Sequence, residues 1–231
     1  MAERNPQPAY RPQSAAGASP VSTTGIEINR VLRNTYMLLG MTLAWSALVA
    51  GVSMAVNAPH PGFILTLAGF FGLLFLVHKT ANSPWGLLSV FAFTGFLGYT
   101  LGPILTMYLS LSNGPALVTS ALATTAVAFV GLSAYALITR KDFSFLSGFL
   151  VVGFFVLMGS MLVAWGFGLS GLHTAISAGF VLFASAAILW QTSAIVHGGE
   201  TNYLIATVVL YTQIYNLFLS LLHIFGVMGE D

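Results

Sequence analysis

The chain has 231 residues, 57% of them apolar and only 6% charged, with a formal net charge of +1 at neutral pH. A charged fraction so far below the roughly 25% of soluble domains excludes a water-soluble globular protein, and a charge near zero leaves no electrostatic footprint for nucleic acid. The lack of cysteine removes disulfide frameworks, thiolate nucleophiles and zinc–cysteine sites.

Residues 1–30, MAERNPQPAYRPQSAAGASPVSTTGIEINR, have no apolar core of the signal-peptide kind and are rich in Pro, Ser, Ala and Gly. They read as a flexible cytoplasmic N-terminal tail. Residues 31–231 read as one seven-helix transmembrane domain. Its apolar runs lie at 31–56, 61–78, 85–110, 115–138, 144–168, 173–196 and 202–226, separated by short breaks such as NAPHP, HKTANSP, SNGP, TRKDF and HGGET. Each run approaches the roughly 20 residues needed to cross about 30 Å of hydrocarbon. The fold class is therefore an all-α membrane protein with seven transmembrane helices. Placing the N-terminus inside puts Arg4, Arg11, Arg30, Arg33, Lys79, Arg140 and Lys141 in the cytoplasm and none outside, as the positive-inside rule requires. Glu230 and Asp231 then lie on the opposite side.

In the third run, Gly98 and Gly102 stand four apart, a close-packing face, and Pro103 predicts a kink. Between the fourth and fifth runs, Arg140 and Lys141 suit a helix C-terminus, with Asp142 or Ser144 as the cap of the fifth helix. The sixth run repeats small or polar residues every seven positions at Ser170, Ser177, Ala184 and Gln191, and His173 opens it. After it, Gly198 and Gly199 end the helix, Thr201 or Asn202 caps the seventh, and Glu200 sits near that helix's positive end. The same turn, through Gly198, Gly199, Glu200 and Asn202, is a candidate docking site for a cytoplasmic partner.

The last run carries the most information. Asn202, Ala206, Val209, Gln213, Asn216, Ser220 and His223 alternate steps of four and three, so they form one stripe, and most of it is polar. A helix polar along one whole face turns that face to other helices or to a water-filled path, which predicts a last helix enclosed by the others. The amides of Gln191 and Gln213 serve equally as interhelical hydrogen-bonding groups or as the lining of a solute path. They do not titrate, and they hold divalent cations less well than carboxylates do.

Enzymatic readings find little support. GLSG at 168–171 is a short match to the serine motif of rhomboid-like proteases, with His223 on the same outer side as a base, but four residues in a Gly-rich turn arise easily. A retinal Schiff base needs an intramembrane lysine, and Lys79 and Lys141 lie in the breaks. No cofactor is expected, nor any catalytic or metal-ligating set, and the absence of an internal repeat gives no basis for an inverted-repeat transporter.

Four segments, FAFTGFLGYTLGPIL (91–105), TRKDFSFLSGFL (139–150), ILWQTSAIVHGGETNY (188–203) and LYTQIYNLFLSLLHIFG (210–226), resemble the motifs of the Bax inhibitor-1 family, also called TMBIM, and especially its bacterial YccA branch. The resemblance implies seven helices with the last surrounded by the other six. Many members carry an acidic pair on the last two helices as a proton-sensitive latch linked to a calcium leak. Aligned through the flanking residues, those positions are Gln191 and Gln213 here. The branch resemblance implies, as partner, the membrane-anchored ATP-dependent protease FtsH. The expectation is a non-enzymatic, multi-pass protein of the bacterial inner membrane that modulates membrane-protein quality control through FtsH. The alternative is a calcium or cation leak without the acidic latch, with calcium ions as the solute.

Overall fold

Seven helices make up the fold in the computed structural model, which describes residues 20–229, with only the backbone path for residues 20–26 and Ser170. They are α1 (Pro20–Ala55), α2 (Phe63–Thr80), α3 (Gly86–Leu109), α4 (Gly114–Thr139), α5 (Leu146–Phe167), α6 (Ser170–Val196) and α7 (Tyr203–Met228). No strand occurs among the described residues. All seven are long and apolar enough to cross a membrane. The boundaries follow local chemistry. Gly62, at φ 85, turns the chain into α2, while Gly168 at φ 64 and Gly198 at φ 73 supply left-handed turns after α5 and α6. Pro115 occupies the first turn of α4, where its missing N–H costs nothing.

Two expectations are corrected at this level. Helix α1 begins at Pro20, so residues 20–30 of the expected 1–30 tail are helical. Extending an existing helix costs far less than nucleating one, and Pro20 falls in a first turn where proline is tolerated. Residues 1–19, like Glu230 and Asp231, lie outside the described residues. Asp142 does not cap α5. Its Oδ1 accepts from the Ser144 N–H at 2.8 Å in a turn ahead of the helix, and α5 opens at Phe145 with no side-chain cap.

The expected small-residue face on α3 is where α1 seats. A methyl group on Gly98 would lie 2.5 Å from the Ser46 carbonyl oxygen, and one on Gly102 would collide with Ser53. The bare backbone lets the two helices approach closely, and Ser53 Oγ donates to the Tyr99 carbonyl at 3.0 Å across the contact. Helix α3 runs unbroken through Pro103.

Helix α7 is the centre of the molecule. In its most apolar stretch 72% of residues are buried, against none in α5. Around Tyr211, Leu210, Leu217 and Leu222 pack Phe93 and Leu97 of α3, Leu39 of α1 and Ile188 of α6. Helix α7 packs against α1, α2, α3, α4 and α6, whereas the backbone of α5 comes close only to that of α6. The expected six surrounding helices are thus five. Helix α5 is apolar all round, with Val152 and Phe155 exposed, so nothing in its sequence selects a face to press on α7.

Candidate functional site

Helices α2 and α5 flank a cleft floored by α7. Their backbones nowhere come within 8 Å of each other, and Phe63 of α2 stacks on Trp165 of α5 at 5.3 Å across one end. Leu97, Thr100 and Ile104 of α3 form one side wall, and Ile176, Ser177 and Phe180 of α6 the other. The cleft has a volume of about 630 Å³ and follows α2 from His60 and Phe63 to His78. The fifteen-residue step from Phe63 to His78 spans about 22 Å.

The polar stripe of α7 faces this space. Val209, Gln213, Asn216, Ser220 and His223 all line it, as do His173 and Ser177 of α6. Five of the seven stripe residues thus face open space, and Asn202 and Ala206 do not. Gln191 is not part of the lining. Its side chain is almost fully buried and its Nε2 has no hydrogen-bond partner. Gln213 Oε1 and His223 Nε2 also lack partners. A donor on α6 and an acceptor on α7 therefore stand unsatisfied without bonding each other, each at a cost of about 1–3 kcal/mol for a buried polar group. The two amides do not bond each other through these atoms. Ala206 and Ala184, the other small members of the two stripes, are fully buried in the core.

Around His223 the other outer groups gather. The His173 and His223 rings lie 6.4 Å apart, and Tyr108 Oη is 3.4 Å from His223 Nδ1. Ser170 of the GLSG turn has no described side chain. Among the described residues, no Asp, Glu, Lys or Arg lines the cavity.

Sequence reasoning missed two tyrosines. Tyr211, off the polar stripe of α7, has its hydroxyl 2.5 Å from Ser46 Oγ and donates to the Thr94 carbonyl at 3.3 Å. Tyr215 Oη lies 2.9 Å from Thr100 Oγ1, and the two tyrosine rings stack at 6.4 Å. The signal was available: phenols one helical turn apart in a buried helix need hydroxyl partners.

At the opposite, basic end the expected docking residues knit three turns together. Asn202 caps α7 by accepting from the N–H groups of Leu204 and Ile205, and its Nδ2 donates to the Ala81 carbonyl at 3.1 Å and to Asn82 Oδ1 at 3.0 Å. Glu200 Oε1 accepts from the Asn202 N–H at 2.7 Å. Gly198 and Gly199 close α6 by donating to the Ile195 and Ala194 carbonyls. One turn back, buried Ser193 accepts from the Phe143 N–H and donates to the Lys141 carbonyl, both at 3.1 Å, while His197 Nε2 lies 3.1 Å from the Arg140 carbonyl. The TSAIVHGGETN segment is thus a clamp for the α2–α3 and α4–α5 turns. Asp142, in the second of these turns, has its carboxyl held below the usual carboxylate range. The backbone N–H of Ser144 contributes most, then the Ser144 side chain, with a smaller effect from His197.

The family described as inhibitor of apoptosis-promoting Bax1 matches residues 28–230. The chain belongs to the Bax inhibitor-1 family. It is 53% identical over 209 residues, 90% of this chain and 95% of the relative, to the protein of Escherichia coli strain K12 named modulator of FtsH protease YccA. An uncharacterized protein of Pseudomonas aeruginosa is 63% identical over 89% of this chain and 92% of its own. A Vibrio cholerae relative described as a membrane protein is 43% identical over 89% and 93%. The matched residues take in six of the seven helices of this Bax inhibitor-1 family member whole and α1 from residue 28 onward.

Proposed function

We propose that this chain is a non-enzymatic protein of the bacterial inner membrane that modulates membrane-protein quality control by engaging an FtsH-type protease. The observation that carries the reading is the 53% identity, over nearly the whole of both chains, to a protein named as a modulator of that protease. The distribution of charge supports an orientation for it. Lys79, Arg140 and Lys141 share the end of the bundle at which α1 begins, and a basic end lies on the cytoplasmic side. Residues 1–19 then emerge on that side as a handle for a protease that draws its substrates from the cytoplasm. The Asn202 clamp presents Glu200 and the glycine turn on the same surface.

Deleting residues 2–19, which leaves α1 whole, tests the reading. Turnover of a membrane substrate by FtsH is measured in cells expressing either form. The shortened chain is expected to lose most of its effect while still accumulating in the membrane. Unchanged modulation would remove the tail from the mechanism, and a full-length chain without effect on turnover would sink the reading.

A cation leak along α6 and α7 is the second reading, favoured by the polar face that α7 turns to the cavity. It stands behind the first because no carboxylate lines that cavity to replace a cation's hydration shell.

A further inference from the structure

The cleft between α2 and α5 has the dimensions and chemistry of a ligand site. Its volume of about 630 Å³ falls within the roughly 300–1,000 Å³ of small-molecule pockets. A transmembrane helix does not fit. A helix 10–12 Å across displaces on the order of 400–600 Å³ per turn, and about four turns would be needed to follow the cleft along α2. An extended hydrocarbon chain fits that length and width.

Polarity is graded along the cleft. Toward the basic end its walls are Phe70, Leu74, Phe154 and Val209, with His78 at the limit of the cleft. Toward the other end the floor becomes Gln213, Asn216, Ser220 and His223, over about 15 Å of α7. Two atoms on this floor, Gln213 Oε1 and His223 Nε2, are buried without partners, and Gln213 as a residue is only 8% exposed. Gln213 and Asn216 bring side-chain amides to the lining, and an occupant's hydroxyl is a partner of matching chemistry for an amide. Among the described residues the lining holds no Asp, Glu, Lys or Arg and, besides His60, His78, His173 and His223, only neutral side chains, so a cationic head group meets no carboxylate and an anionic one no lysine or arginine. These facts select a molecule with one apolar chain and an uncharged head that donates hydrogen bonds.

We propose that the α2–α5 cleft binds a single-chain, uncharged amphiphile with a hydroxyl head group, of the monoacylglycerol class. Its chain lies between Phe70 and Phe154, and its hydroxyls reach Gln213 and Asn216. The amphiphile enters sideways from the bilayer through the gap between α2 and α5. This site stands on its own geometry and does not depend on the protease reading.

The test uses the full chain in phospholipid nanodiscs with a diazirine-tagged monoacylglycerol, crosslinked by light and mapped by mass spectrometry. Saturable labelling is expected at cleft residues such as Phe154, Met158 and Phe180. Unlabelled monoolein should displace it about tenfold better than hexadecane, which lacks the head, or lysophosphatidylglycerol, which is charged. Gln213→Met, which keeps the side-chain length and removes the acceptor, should weaken labelling about tenfold. Ser177→Trp, which fills the cleft from α6, should abolish it and decides the matter if the first variant does not fold. Labelling confined to outward residues such as Val127 and Phe155, or equal displacement by all three competitors, would overturn the proposal. Undiminished labelling in a folded Ser177→Trp protein would do the same.

Discussion

Asp142 shows how one residue orders a turn that the flanking helices leave loose. Its carboxylate accepts the Ser144 N–H at 2.8 Å, and its folded pKa lies below the ordinary value. For an acid with a depressed folded pKa, the stabilisation is complete above the ordinary value near 3.9 and is lost as pH falls through the folded one. The turn should therefore hold its structure unchanged from about pH 5 upward and loosen only below about pH 4. A carbon-13 NMR titration of the carboxyl should place its midpoint under the model-peptide value. In Ser144→Ala, where the backbone donor remains but the hydroxyl is lost, the midpoint should move part of the way back. A midpoint at or above the ordinary value would contradict the assigned contact. Residue-scale features were legible where they depended on spacing. The stripe of Gln213, Asn216, Ser220 and His223 follows from helical periodicity alone. That this stripe meets a cavity does not, because it depends on how far apart α2 and α5 stand, and their sequences record no such distance. The role of Tyr211 was hidden for a related reason: an aromatic ring satisfies an apolar pattern while its hydroxyl makes specific bonds.

Among elements, the contact of α1 with α3 is the most exacting. In a bilayer no hydrophobic gain drives two apolar helices together, so close backbone approach and small side chains do that work. Gly98 meets the Ser46 backbone and Gly102 meets Ser53, with no room for a methyl group at either position. Gly98→Ala should therefore cost about 1–3 kcal/mol through forced separation, even though alanine is the better helix former. Thermal unfolding of the purified protein should show a lowered midpoint, whereas Gly131→Ala, where nothing lies within 4 Å, should leave it unchanged or slightly raised. Equal effects at the two sites would mean that the approach of α1 and α3 does not limit stability. The pair of glycines was readable as a packing face from the sequence. Its partner was not, because small-residue spacing says that something comes close without saying which helix. Helix existence and order were likewise legible from apolar run lengths, while the start of α1 at Pro20 was masked by a composition typical of tails.

At the scale of the whole molecule, the open question of ion passage turns on what the cleft and the α6–α7 seam offer a cation. Gln191 is buried away from the cavity and Gln213 faces it, and both are neutral. A calcium ion entering such a path would shed water for amide and hydroxyl oxygens without a compensating charge, and unpaired charges are strongly disfavoured in low dielectric. Proteoliposomes holding the native chain should therefore show calcium flux no higher than empty vesicles at both about pH 6 and about pH 8. Replacing both amides, Gln191→Asp with Gln213→Asp, introduces two titratable carboxylates next to the existing seam. Burial raises a carboxyl's pKa and a shared site raises it further, bringing its titration toward neutrality. Flux should then appear and differ between the two pH values. Native flux equal to that of the double variant would show that the path needs no carboxylate, and would move the cation leak ahead of protease modulation. Silence in both proteins would mean that the seam is not a conduit even when charged, leaving the lateral cleft between α2 and α5 as a binding site rather than the entrance to a pore.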